Sequence, residues 1–175
     1  MNPFKNTFNF LILLFFSFIC IVFQSTLLHQ YLGLYKPNLL VILIAYLALN
    51  RFAIEGGILS FLIGYLVELN SGAPFGLYSC VFVITYVVTK TLCQGLLIDA
   101  VLSQMGLVII SSLIFKLSFW GVLAIYQPLR ETFLTSLLSL LSMSFLNFLL
   151  TPIVFFSLVL WDTLLAKERP TWQPS

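Results

Sequence analysis

Residues 51–76 read RFAIEGGILSFLIGYLVELNSGAPFG, an apolar run bracketed by two carboxylates, Glu55 and Glu68. Between them Gly56, Ser60 and Gly64 recur at every fourth position and lead into Glu68. On a helix, side chains four apart lie on nearly the same face, drifting by about 40° per step, so these residues form one slowly curving stripe. Small side chains let another backbone approach closely, and an acid in oil needs a partner. The stripe is therefore expected to face protein rather than lipid and to carry Glu68 into the interior of a helical bundle.

The rest of the chain fits that reading. Its 175 residues are 61% hydrophobic and 8% charged, with a mean hydropathy of +1.09, a mix that cannot wet the surface of a soluble domain. The apolar runs are continuous, without the alternation of an outer-membrane barrel, and predict an all-α membrane protein forming a single polytopic domain, 1–175. Hydropathy places six spans near 8–28, 38–50, 54–70, 75–92, 101–125 and 133–160. Only about 13 residues separate Pro37 from Arg51, a length at which a re-entrant or tilted segment competes with a full crossing. Lys5 precedes the first run, which is too long for the apolar core of a signal peptide and lacks a small-x-small cleavage site, so it is read as a retained span.

With six spans and the N-terminus inside, Lys5, Arg51, Lys90, Lys167 and Arg169 are cytoplasmic, whereas Lys36 and Arg130 are outside. This bias supports cytoplasmic N- and C-termini. The two halves share no repeated motif, so an inverted-repeat transporter has no support. The net charge of +2 is dispersed, which argues against nucleic acid as a partner. Cys20, Cys80 and Cys93 show no CxxC or pairing pattern. His29 is the only histidine, and HExxH, GxSxG and Walker sequences are missing, so no metal, cofactor or catalytic group is expected.

From Pro37 onward the order Pro-Asn-Leu-Leu, Tyr46-Leu-Ala-Leu, Arg51, Glu55-Gly56, Phe61, Gly64, Glu68, Ser71-Gly72 and Pro74-Phe-Gly76-Leu resembles the MreD family of bacterial rod shape-determining proteins. The likeness is densest from Gln24 to about Thr91. Family members commonly carry Asp at the positions of Asn38 and Glu68; the second change keeps the charge and the first loses it. The resemblance implies a non-enzymatic scaffold of the inner membrane, in the wall-elongation complex. Its partners would be MreC directly, with the actin-like MreB and the RodA glycosyltransferase and its transpeptidase as complex members, and the lipid bilayer around it. It also implies a fold similar to the six-helix substrate-binding subunits of energy-coupling-factor vitamin transporters. Such a subunit is the alternative reading, although large residues dominate 8–28 where that family has small-xxx-small docking patterns.

Several side chains are candidates for the site. Counting along their helices puts Glu68 about 20 Å and Lys116 about 22 Å above the cytoplasmic boundary, depths at which they can neutralise one another. The competing arrangement has Lys116 snorkelling outward and Glu68 capping a helix end near Asn70-Ser71-Gly72. Ser71, Gly72, Pro74, Phe75 and Gly76 suit a tight external turn, and with Glu68 and Tyr78 they are candidates for a surface that meets MreC. Arg51 and Glu55 are spaced for an i,i+4 pair at the cytoplasmic end. Gln24 and Asn147 are candidates for interhelical hydrogen bonds, and Pro152 is expected to kink the last span.

Overall fold

The computed structural model describes residues 3–28, 37–94, 101–126 and 133–164. They form six α-helices: α1 (Pro3–Phe23), continued by a π-helical turn over Gln24–Leu28, α2 (Leu39–Asn50), α3 (Ala53–Ser71), α4 (Leu77–Gln94), α5 (Val101–Tyr126) and α6 (Phe133–Leu164). Four helices, α3 to α6, are long and apolar enough to cross a membrane, and two shorter apolar stretches lie in α1 and α2. The chain is a multi-pass, all-α membrane protein. Lys36, Arg130, Lys167 and Arg169, on which the expected orientation rests, lie outside the described residues, as does His29.

The short second segment holds the centre. At about 1.5 Å per residue its 12 residues span roughly 18 Å, less than the hydrocarbon thickness of about 30 Å. Leu40 to Asn50 are all buried. A helix that is apolar all round needs protein on every side, and α2 touches each of the other five helices. The bundle is thus built around a half-length core helix. Large apolar side chains such as Phe61, Leu117, Phe145 and Phe156 point outward from the surrounding helices, as a lipid-facing surface requires.

The stripe on α3 faces protein, and the neighbour it faces is α4. Gly56, Ser60, Gly64 and Glu68 are all buried. A Cβ built on Gly64 would lie 2.5 Å from the Cα of Ser79, so only glycine permits the two backbones to meet there. At Gly56 a Cβ would fall 2.3 Å from the Tyr86 hydroxyl oxygen. Ser60 turns its hydroxyl back onto the Gly56 carbonyl at 2.8 Å, which satisfies it without a partner across the interface.

Gly64→Ala is expected to destabilise the bundle by about 1–3 kcal/mol through overpacking against α4. Gly57→Ala is the control: its new methyl would come no nearer than 3.9 Å to Tyr86. That change should be neutral or stabilise by about 0.5–1 kcal/mol through helix propensity. Equilibrium unfolding in mixed micelles reads both.

Candidate functional site

Two polar constellations occupy opposite ends of α3. At its start the chain turns from α2 into α3 through two extended residues, Arg51 (φ −119°, ψ 154°) and Phe52 (φ −63°, ψ 150°). A break of this kind frees backbone carbonyls, and buried ones need donors from within the protein. α4 supplies the donors. Lys90 Nζ donates to the carbonyls of Ala48 (2.7 Å) and Arg51 (2.6 Å), and the Tyr86 hydroxyl donates to that of Phe52 (3.2 Å). Tyr86 and Lys90 are one turn apart on α4, so a single helix face serves the whole corner.

Arg51 itself is 0% exposed. Its Nη2 donates to Asp162 Oδ1 of α6 at 2.5 Å, and the Tyr46 hydroxyl of α2 donates to Oδ2 of the same carboxylate. Glu55 stands farther off, 3.9 Å from Nη1. The expected i,i+4 pair is therefore present but secondary, because Asp162 takes the closer approach. Tyr46 also packs its ring edge-on against Phe155 of α6, with centroids 5.3 Å apart. At the other end of α2, Asn147 Oδ1 accepts the backbone N–H of Asn38 (2.9 Å) and Asn147 Nδ2 donates to Ser112 Oγ of α5 (3.0 Å). α6 is thus bonded to both ends of α2, and the two helices run parallel.

The far end of α3 is organised by Glu68, 4% exposed. Its Oε2 accepts the N–H of Gly76 (3.0 Å) and its Oε1 that of Ser79 (2.7 Å), two of the free donors at the start of α4. The negative charge also meets the positive end of the α4 dipole. Gly72 closes α3 in the left-handed region (φ 64°), donating to the Glu68 carbonyl at 3.1 Å, and Gly76 has φ 89°. The turn therefore needs glycine at both positions.

This geometry corrects the proposed Glu68–Lys116 ion pair. The carboxylate is occupied by backbone donors of the next helix, and Lys116 Nζ lies over the Trp120 ring, 5.9 Å from its centroid. Glu68 is a helix cap, although the helix it caps is α4 rather than its own. Ser71 and Phe75 are exposed, Phe75 at 77%, while Tyr78 is half-buried against Phe82 and Phe119. Lys90, counted among the cytoplasmic charges, is buried inside the corner. Asn147 makes the interhelical bonds expected of it, whereas Gln24 Oε1 is buried with no hydrogen-bond partner among the described residues. α6 continues as helix through Pro152. Among the described residues no cluster of three or more His, Cys, Asp or Glu side chains is placed to hold a metal ion.

Asp162 is the residue that sequence reasoning missed. The signal was present: it is an acid at the end of an otherwise apolar span, 152–165, where charge is rarely idle. No family model, curated protein or solved structure matches this chain.

Replacing Glu68 by leucine strands the buried N–H of Ser79 and the part-buried N–H of Gly76 and is expected to lower stability by about 1–3 kcal/mol. Lys116→Leu is expected to change stability by less than about 0.5 kcal/mol. Equal losses for the two variants, measured by unfolding in the same micelles, would restore the ion-pair arrangement.

Proposed function

We propose that this chain is an MreD-type scaffold of the bacterial inner membrane. It would be non-catalytic, with six spans and both termini cytoplasmic, binding MreC and helping couple MreB to the RodA synthase and its transpeptidase. The family likeness supplies the partner names. The observation that carries the reading is the α3–α4 turn: Glu68, Gly72 and Gly76 fix its backbone, and Phe75 stands on it 77% exposed. A turn of fixed backbone that exposes an aromatic side chain is suited to docking, because little conformational freedom is lost when a partner covers it. The likeness is also densest over α2, α3 and α4, the elements that build the core and this turn.

The second reading is a substrate-binding subunit of a vitamin uptake transporter. What favours it is a cavity of about 540 Å³ beside the same turn.

Depleting the protein separates the two. The scaffold reading expects rods to round up and MreC to lose its position, and a photocrosslinker at Phe75 to capture MreC in cells. Failure of vitamin uptake with cell shape intact, and no capture of MreC, would support the transporter subunit.

A further inference from the structure

The cavity beside the α3–α4 turn carries two kinds of lining. One wall is a closed ring of aromatic contacts: Tyr78 to Phe82, Phe82 to Phe115, Phe115 to Phe119 and Phe119 back to Tyr78, with centroids 5.2 to 6.3 Å apart. Polar groups make up another part. Gln24 Oε1 and Asn38 Oδ1 are buried acceptors with no hydrogen-bond partner among the described residues. Unmet buried acceptors are costly, and they call for hydroxyl or amide donors. Lys116 is the cation in the lining, and among the described residues no carboxylate faces it. A lysine within a span is stabilised by an anion close to it. The volume, about 540 Å³, falls in the range of small-molecule sites.

We infer that this cavity binds an anionic, hydroxyl-bearing headgroup. Its acidic group sits at Lys116, its hydroxyls donate to Gln24 and Asn38, and any apolar portion lies on the aromatic wall. A phosphate ester of a polyol has this chemistry, whether it belongs to a bilayer lipid or is free in solution. The inference goes beyond the scaffold reading and does not depend on it.

The test uses the full chain purified in a neutral detergent. Binding of dioleoylphosphatidylglycerol is compared with that of dioleoylphosphatidylcholine, and binding of glycerol 3-phosphate with that of glycerol, by native mass spectrometry and thermal shift. In at least one pair the anion is expected to bind about tenfold more tightly, the size of one charge-assisted hydrogen bond. The pair in which it does so identifies the source as lipid or soluble. Lys116→Gln should abolish that preference, and Gln24→Leu should weaken anion binding while the empty protein unfolds no more easily than the wild type, because leucine removes the unmet acceptor. The inference is overturned if neither anion is preferred by the wild-type chain, or if the preference survives Lys116→Gln. Should either variant fail to fold, the wild-type comparison alone decides.

Discussion

A guanidinium with no access to solvent holds this bundle in register. Arg51 sits where α2 ends and α3 begins, and Asp162 reaches it from the last turn of α6. Neither charge is tolerable alone when buried in this way, because an unpaired ion in a low-dielectric interior loses its hydration without compensation. Each therefore fixes the other. Tyr46 shares the carboxylate, Lys90 and Tyr86 satisfy the carbonyls of the break, and Gly56 leaves room for the Tyr86 ring. Four helices, α2, α3, α4 and α6, are thereby tied at one point. α2, too short to be anchored at both membrane surfaces, is held at its other end by Asn147.

With one end locked, α3 and α4 are set close together, and the glycine stripe keeps them in contact as far as Glu68. There the acid closes the hairpin by capping α4. Both ends of α3 obey the same constraint: each buried free backbone group must find a partner within the protein. At the Arg51 end the free groups are carbonyls and the partners are cationic or phenolic donors from α4. At the Glu68 end they are N–H groups and the partner is a carboxylate from α3. The proposed docking turn and the polar cavity both lie at the Glu68 end, away from the buried ion pair.

How much of this could be read from the residues depended on how local each interaction is. The direction of the stripe was legible because small residues at every fourth position declare a face, and the turn was legible from Gly72, Pro74 and Gly76. The apolar character of α2 showed on every side, yet its central place follows from packing among helices that a single chain does not spell out. Depth counting brought Glu68 and Lys116 to one level, but it is blind to backbone donors, and these won the carboxylate. Asp162 is 111 positions from Arg51. Spacing within one helix pointed to Glu55 instead, which is near in sequence and 3.9 Å away in space.

A double-mutant cycle on Arg51 and Asp162 tests the account most directly, read as unfolding free energy in mixed micelles. Arg51→Met and Asp162→Leu should each cost about 3–5 kcal/mol by depriving a buried charge of its nearest opposite charge, and the double variant should recover most of one of those losses. Strictly additive losses would mean that the two side chains do not depend on each other, and the bundle would then be held together by something else.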